Sequence, residues 1–320
     1  MLIDHDRGNI GDETLQGLAF ARAMFSDAPD TEVAAVVIGG DAPPVVAGAD
    51  TIWHVRHGEL DDYAPEAWGD ALHQLAVAVT PSAVVATGSE RGNEVLAHLA
   101  AAADEPFAAN VVAATPAAPG TPWAVRRVRW GGSLLEDATL SAQLPILSCA
   151  LHVYTSHPAD SVAAAVTEFV PTLAPEAGRT RIVERVQVAA GITLATAPVV
   201  VSGGRGVGSE EGFAAIEALA ELLGGAVGCS RVVTNQGWRP HADQVGQTGK
   251  RVAPDLYIAC GISGAIQHWV GMQAAKHVLA INTDRDAPMV SKADYAVIGD
   301  LHEIVPAIVD ELRRRRAAIS

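Results

Sequence analysis

Two short glycine-bearing loops could hold an anionic ligand, and they flank a single apolar strand. The loops are QVGQTGK (Gln244–Lys250) and GISGAIQH (Gly261–His268), and the strand between them is LYIACG (Leu256–Gly261). Small residues in such loops allow backbone N–H groups to approach an anion closely. Ser263 is predicted to cap a helix whose first turn is left uncovered. A strand that leads into such a helix commonly holds a phosphate or pyrophosphate.

Polar side chains in the same loops suit a flat heterocycle better than they suit phosphate alone. Gln247, Thr248, Gln267 and His268 all provide hydrogen-bonding groups. A lone histidine is more often a packing or surface residue, but its position beside Gln267 favours contact with a ligand. No other histidine, cysteine or carboxylate lies at metal-ligand spacing from His268, so no metal is expected. The segment therefore predicts a dinucleotide site.

A third glycine-rich loop, Gly203–Gly208, departs from the nicotinamide-binding fingerprint. The third glycine of that motif is missing, and Ser230 and Arg231 stand where a ribose-binding acid would be expected. A structural turn would explain the glycines alone, whereas Arg205 within the loop could bind a phosphate. Arg231 is either a surface residue or, beside a flavin, a charge that stabilises negative charge on the ring.

The chain contains no nucleophile elbow, phosphate-binding P-loop or paired-carboxylate motif. It provides a place for a cofactor without an evident acid, base or nucleophile to act on a second substrate. From these residues alone, the sequence predicts a cofactor-binding protein and leaves its reaction open.

The elements that would position these residues form an α/β protein. In the first half, strand-like runs alternate with helical patterns at Thr14–Phe25, Pro65–Val79 and Glu90–Ala103, which predicts a mostly parallel sheet. Period-two alternation over Trp123–Leu140, with a Gly-Gly turn, predicts an added antiparallel β-hairpin. The second half predicts a doubly wound parallel-sheet domain, whose ligands bind at the carboxyl ends of the strands.

Composition and net charge limit the classes of partner and the cellular compartment that are expected for this chain. The chain has 320 residues, of which 49% are hydrophobic, and a net charge of −15, which disfavours nucleic acid and anionic membranes as partners. No apolar run is long enough to span a bilayer, and MLIDHDRGN does not have the pattern of a targeting peptide. Cys149, Cys229 and Cys260 are expected to be reduced core thiols. The bacterial cytoplasm is the expected compartment, with the mitochondrial matrix as the weaker alternative.

Residues 1–185 are predicted to form the N-terminal α/β domain, and residues 186–320 the ligand-binding domain with a C-terminal helix. Ser156–Thr180, which is rich in proline, alanine and polar residues, is the candidate linker. The terminal ELRRRR (Glu311–Arg316) is typical of a solvated helix end, where cations complement the helix dipole.

Five motifs follow one another along the second half. They are GRGVGS (Gly204–Ser209), QVGQTGK (Gln244–Lys250), LYIACGISGAIQHWVGM (Leu256–Met272), AIN (Ala280–Asn282) and ADYAVIGDL (Ala293–Leu301). In the order and spacing of these motifs, roughly residues 186–305 resemble the FAD-binding domain of electron transfer flavoprotein alpha subunits. TGSERGNE (Thr87–Glu94) and RWGG (Arg129–Gly132) are similar, more loosely, to the N-terminal domain of the same family.

The resemblance implies a role for each matching residue. The FAD pyrophosphate and ribityl chain would be held by Arg205, Ser230, Val245, Gly246, Gln247, Ser263, Gly264, Ala265, Ile266 and Gln267. The adenosine end would be held by Asn282, Asp300 and Leu301. The isoalloxazine ring would face Arg231, Thr248, with its hydroxyl toward N5, and His268, toward the C2 carbonyl. Positive charge at Arg231 and His268 would favour negative charge on the ring.

The resemblance implies an electron carrier rather than an enzyme with its own substrate. It also implies partners: a beta subunit that carries AMP, flavoprotein dehydrogenases as electron donors, and a membrane quinone oxidoreductase as acceptor. The N-terminal domain would contact the beta subunit, and fatty acid β-oxidation is one expected setting. Thr248 and Asp294 resemble the ordinary branch of the family. Asn235, Gln236, Cys229 and Met289–Lys292 depart from its pattern, which leaves the potential open.

Three alternatives remain at the level of sequence. The chain could be an electron-bifurcating flavoprotein subunit that also oxidises NADH. It could be an NAD- or FAD-dependent enzyme on a similar fold, although no catalytic lysine or acid is apparent beside the ring. It could also be a flavin-storing or structural subunit that has lost its redox partners.

Overall fold

The alternation of apolar runs and helical patterns produces two separate α/β units, Met1–Gln187 and Val188–Ser320. The computed structural model describes residues 1–6, 8–26, 28, 30–40, 46, 48–118, 120–132, 134–154, 164–174, 176–182 and 192–319. The predicted domain boundary at 185/186 falls outside these described residues. Within them, no helix has the length and apolar character needed to cross a membrane.

The first unit contains both parallel and antiparallel strand pairs. Its elements are β1 (His5–Asp6), β2 (Asn9–Ile10), α1 (Asp12–Met24), β3 (Ala34–Ile38), β4 (Thr51–Val55), α2 (Pro65–Val79), β5 (Val84–Thr87), α3 (Glu90–Ala103), β6 (Phe107–Thr115), β7 (Trp123–Arg129), β8 (Leu134–Leu140), β9 (Ile146–Cys149) and β10 (Ala165–Phe169). β1 and β2 pair antiparallel, and the other strands form two larger groups with the orders β10-β4-β3 and β5-β9-β6-β7-β8. The residues before β1 join the groups, because Leu2 N–H donates to Val85 (2.7 Å) and Ile3 N–H to Val36 (2.9 Å).

The predicted hairpin is confirmed. β7 and β8 pair antiparallel from Trp123 opposite Leu140 to Arg129 opposite Leu134. The connection is the short 3₁₀ segment Trp130–Gly132. Arg126 forms a two-pronged ion pair with Asp137 across the strands, at 2.7 and 2.9 Å. Such cross-strand pairs help to fix the register of the hairpin.

The predicted linker is wrong where the structure describes it. Within Ser156–Thr180, residues 156–163 and 175 lie outside the described residues, but β10 pairs in parallel with β4 along its full length. β10 is an edge strand with four exposed residues, so its composition resembles that of a linker. Phe169 nevertheless packs against the buried core of the first unit.

The second unit is a doubly wound sheet, as predicted. Its elements are β11 (Val199–Gly203), α4 (Ala214–Leu222), β12 (Ala226–Cys229), α5 (Arg231–Asn235), β13 (Leu256–Cys260), α6 (Ile266–Met272), β14 (His277–Asn282), α7 (Pro288–Lys292), β15 (Tyr295–Ile298) and α8 (Leu301–Ile319). The strand order is β12-β11-β13-β14-β15, and all neighbouring strands are parallel. Because the order changes direction between β11 and β13, a crevice opens at the carboxyl ends of these two strands.

Both faces of this sheet are buried. Val201, Ile258 and Ile281 pack into the core that includes α4 and α8, whereas Val200 and Tyr257 belong to a second core on the opposite face. This burial explains why the strands are nearly continuous apolar runs rather than alternating ones. The three cysteines are buried and free, as expected.

The C-terminal arginines lie on α8. Arg314 and Arg315 each bind the Glu311 carboxylate at 2.7 Å, one turn away on the same helix. Exposed pairs of this kind contribute little to stability. Arg314 and Arg315 therefore lie on an exposed helix end, as predicted.

Candidate functional site

The crevice between β11 and β13 begins with two glycine loops in backbone contact. Gly204 N–H donates to the carbonyl of Cys260 (2.9 Å), and Gly206 N–H donates to that of Gly261 (3.1 Å). A Cβ atom on Gly204 would lie 2.3 Å from the Gly261 oxygen, which is far inside contact distance. Glycine at position 204 therefore allows the two loops to approach closely, and this approach places Arg205 at the crevice.

A cavity of about 560 Å³ lies at this crevice and is lined by loops that follow four of the five strands. It brings together eight predicted site residues: Arg205, Ser230, Arg231, Ser263, Ala265, Gln267, His268 and Asn282. It is also lined by residues that sequence reasoning omitted: Gly206, Val232, Gly261, Ile262, Asp284 and Ala287. Their common signal is position, since each follows the carboxyl end of a parallel strand.

The loop after β13 leaves a run of peptide groups free. None of the N–H groups of residues 263–267 forms a hydrogen bond with another described residue. The prediction that Ser263 caps the helix is wrong: α6 begins at Ile266 and its N-cap residue is Ala265. Ser263 is held outside the helix because its carbonyl accepts from Met289 N–H (3.0 Å), and Gly264 turns the chain with φ +84°. Free N–H groups in such a turn suit an anion.

Arg205 and Arg231 supply positive charge at the cavity. Both residues line it, and neither side chain forms an ion pair with a carboxylate among the described residues. Unpaired guanidinium groups beside free N–H groups are suited to a bound phosphate or an anionic ring.

The loop Gln244–Lys250 lies next to this run of free N–H groups. Val245 N–H donates to Cys229 at the end of β12 (2.9 Å), and Gln247 N–H donates to the carbonyl of Gln267 (2.7 Å). Val245, Gly246, Gln247 and Thr248 do not themselves line the cavity, although Gln267 does. Their assignment to the ligand stays a prediction.

Thr248 is oriented by a buried amide. Gln244 is 2% exposed, and its side-chain oxygen accepts from the Thr234 hydroxyl at 2.7 Å. Its Nε2 donates to the Thr248 oxygen at 3.0 Å. Because that oxygen already accepts a hydrogen bond, the hydroxyl proton of Thr248 remains for an outside acceptor. Such an acceptor would be provided by the ring nitrogen expected at this position.

His268 is the most unusual titratable group of the cavity. Its Nε2 lies 2.8 Å from the Tyr257 hydroxyl, whereas its buried Nδ1 has no hydrogen-bond partner among the described residues. Burial lowers the pKa of His268 to about 4, against a smaller opposing effect of the Val245 carbonyl. The imidazole is therefore neutral at pH 7 in this structure, contrary to the expected positive charge at this position.

This shift predicts a dependence of stability on pH. The unfolded chain binds a proton at His268 near pH 6.5, but the folded chain does so only near pH 4. Protonation therefore favours unfolding, and stability is lost as the pH falls from 6.5 towards 4, by roughly 3 kcal/mol at most. Urea unfolding of the flavin-free chain at pH 7 and pH 4.5 measures this loss. His268→Gln should lose clearly less stability over the same interval, and an equal loss would contradict the prediction.

Asn282 lines the cavity, whereas Gly264, Ile266, Asp300 and Leu301 do not. Asn282 Nδ2 donates to the Ile262 carbonyl (3.0 Å), and its Oδ1 accepts from Asp284 N–H (3.0 Å). Asp300 accepts from His302 N–H at the start of α8 (2.9 Å), and Leu301 packs in the core beside Gly261. Gly264 abuts the backbone of Met289, and Ile266 is exposed. The adenosine-side assignments of Asn282, Asp300 and Leu301 remain predictions.

The segments that depart from the family pattern lie near these loops. Asn235 ends α5, Gln236 follows it, and Cys229 is fully buried at the end of β12. Met289 is fully buried against the Ser263–Gly264 turn, and Lys292 lies over the Trp269 ring at 5.0 Å. Among the described residues, no group of three or more histidine, cysteine or acidic side chains is placed to bind a metal.

The cavity as a whole fits a dinucleotide. Free N–H groups and Arg205 can bind a pyrophosphate, and the carboxyl-end crevice of a doubly wound sheet is the usual location of such ligands. The buried Nδ1 of His268, which has no hydrogen-bond partner in the described part of the chain, is also suited to a polar ligand atom. The arrangement binds and orients a cofactor.

Comparison with known proteins agrees with this geometry. Residues 1–201 match the family model described as the electron transfer flavoprotein domain, and residues 193–273 match that of the electron transfer flavoprotein FAD-binding domain. FAD is therefore the cofactor of the second unit.

Three curated relatives carry the same description, electron transfer flavoprotein subunit alpha. The chain is 36% identical to the one from Mycobacterium leprae, over 99% of this chain and 98% of the relative. It is 31% identical to that of Bacillus subtilis, over 96% and 94%. A third, from Paracoccus denitrificans, is 56% identical over 119 residues, which are 37% of this chain and 39% of the relative. The chain thus belongs to the alpha-subunit family of the electron transfer flavoproteins, a family of electron carriers.

Proposed function

We propose that this chain is the FAD-carrying half of a heterodimer with a beta subunit and that it shuttles single electrons. Flavoprotein dehydrogenases, such as those of fatty acid β-oxidation, would donate the electrons, and a membrane quinone oxidoreductase would accept them. The chain would work in the bacterial cytoplasm, without an enzymatic substrate of its own. The beta subunit would contact the first unit and carry AMP.

The observation that carries this proposal is the cavity at the β11–β13 crevice. Arg205 and the free N–H groups of residues 263–267 would hold the FAD pyrophosphate, with Ser230 nearby. Asn282 would lie toward the adenosine end. FAD supplies one-electron chemistry when it is bound.

The residues proposed to face the ring would adjust its charge rather than perform chemistry on a substrate. Arg231 places positive charge at the cavity, and His268 contributes a neutral polar group. The Thr248 hydroxyl has a proton left to donate, because Gln244 already donates to its oxygen. Together these groups would stabilise negative charge on the ring.

The test is co-expression with candidate beta subunits, followed by purification and cofactor analysis. We expect one FAD per heterodimer, AMP released on denaturation, and reduction of the flavin by a flavoprotein dehydrogenase supplied with its substrate. The same mixture without that substrate is the control. A flavin-free heterodimer, or full reduction by NADH alone, would show that the proposal is wrong, and reduction by NADH would favour the bifurcating alternative.

A further inference from the structure

We infer that Tyr257, which does not line the cavity, is a positioning residue that keeps the proton of His268 on Nδ1. His268 would thereby present an N–H donor, rather than a lone pair, to the bound flavin. The inference rests on the proposed placement of the FAD ring beside His268. The tautomer itself is a property of the chain and can be measured with or without FAD.

The geometry couples the two side chains closely. Tyr257 lies in the middle of the central strand β13 and is fully buried. Its hydroxyl oxygen is 2.8 Å from His268 Nε2, and the two rings meet edge to face with centroids 6.1 Å apart. His268 is itself 6% exposed and lines the cavity. The Tyr257 hydroxyl can therefore hold Nε2 of His268, while Nδ1 of the same ring remains for a ligand.

The chemistry of the pair sets the direction of the hydrogen bond. A neutral imidazole has one N–H donor and one acceptor nitrogen, and a phenol can do either. Phenol is the stronger acid of the two, and the bare imidazole nitrogen is the stronger base, so donation from Tyr257 to Nε2 is favoured. Burial raises the pKa of Tyr257, against a smaller opposing effect of the Ser202 hydroxyl, so the phenol keeps its proton.

Nδ1 is the ring nitrogen that Tyr257 does not reach. It is buried and has no hydrogen-bond partner among the described residues, so a proton on it is available to a ligand. A buried N–H without a partner is costly, and a carbonyl oxygen of a ligand would satisfy it.

An Nδ1–H donor has a consequence for electron transfer. A hydrogen bond to a ring carbonyl becomes stronger as that oxygen gains negative charge, so the donor favours the reduced cofactor over the oxidised one. A lone pair at the same position would do the opposite. Tyr257 would thus influence the reduction potential through His268 without touching FAD.

The first measurement is the tautomer of His268 in the purified heterodimer. Histidine-specific ¹⁵N labelling and NMR of the FAD-loaded and FAD-free protein distinguish a proton on Nδ1 from one on Nε2, and His268→Gln assigns the signal. We expect the Nδ1–H form in both. A proton on Nε2 in the unmodified protein would overturn the inference, whatever the variants do.

The second measurement uses Tyr257→Phe, which removes only the hydroxyl. We expect a mixture of His268 tautomers and a tenfold lower equilibrium constant for uptake of the first electron, which is about 59 mV in a one-electron potential. Tyr295→Phe makes the same change on the exposed strand β15 and should alter neither property. An unchanged tautomer and potential in Tyr257→Phe would refute the inference. Loss of FAD from the unmodified heterodimer would instead refute the proposed function.

Discussion

Replacing Gly204 with alanine is expected to remove most of the FAD from the purified heterodimer. The new Cβ would lie 2.3 Å from the Gly261 oxygen and 2.8 Å from the Ile262 Cα, so the two crevice loops must move apart. Both contacts are backbone atoms, which cannot turn aside as a flexible side chain could. Overpacking of this kind costs about 1–3 kcal/mol. If that cost falls on the bound state, FAD affinity falls roughly 5- to 150-fold, since each 1.4 kcal/mol is about tenfold.

Flavin absorbance per heterodimer and a titration of FAD into the flavin-free protein measure this loss. Gly58→Ala is the matched control. Gly58 lies in the first unit, and a Cβ atom added to it would meet no other atom within 4 Å. We expect that control to retain full FAD content. Unchanged affinity in Gly204→Ala would mean that the two loops can separate without disturbing the cofactor site.

Replacing Arg231 with alanine is expected to lower the potential for the first electron while FAD remains bound. Arg231 lines the cavity and its side chain lacks a carboxylate partner among the described residues, so its charge would be available to the ring. Because the side chain is exposed, solvent screens it, and we expect a shift of some tens of millivolts, up to about 60 mV. FAD is expected to stay bound because the proposed pyrophosphate contacts, Arg205 and the N–H groups of residues 263–267, do not include Arg231.

A spectroelectrochemical titration of the FAD-loaded heterodimer gives the potentials of both electrons. Arg231→Lys keeps the positive charge, so it should lower the first-electron potential by less than Arg231→Ala does. Arg313→Ala removes a charge from α8 and should change neither potential. If Arg231→Ala leaves both potentials as they were, Arg231 does not lie near the ring. If it removes FAD altogether, its main contribution is to binding.

Local sequence was sufficient for elements whose patterns are strong. α2 and α3 have the predicted ends, Pro65–Val79 and Glu90–Ala103, because amphipathic periodicity and flanking turns agree there. β10 was missed because an exposed edge strand has the composition of a linker. Ser263 was misassigned as a cap because its carbonyl is used by Met289, a partner that local sequence does not reveal.

The candidate site shows the same division. Resemblance identified the family and eight of the residues that line the cavity, because the motifs preserve order and spacing. Asp284 and Ala287 were omitted because their role depends on where β14 ends relative to its neighbours. The orientation of Thr248 depends on Gln244, whose buried amide could not be recognised from its position alone.

The sequence by itself therefore determined the fold class, the family and FAD as the cofactor, since these depend on periodicity and on motifs contiguous along the chain. Only the tertiary structure decided that His268 is neutral, because burial of its side chain lowers its pKa. It also decided that Gly204 must be glycine, because the atom it would strike belongs to Gly261 on another loop. Burial and contact between distant segments exist only after folding, and these set the charge and shape of the site.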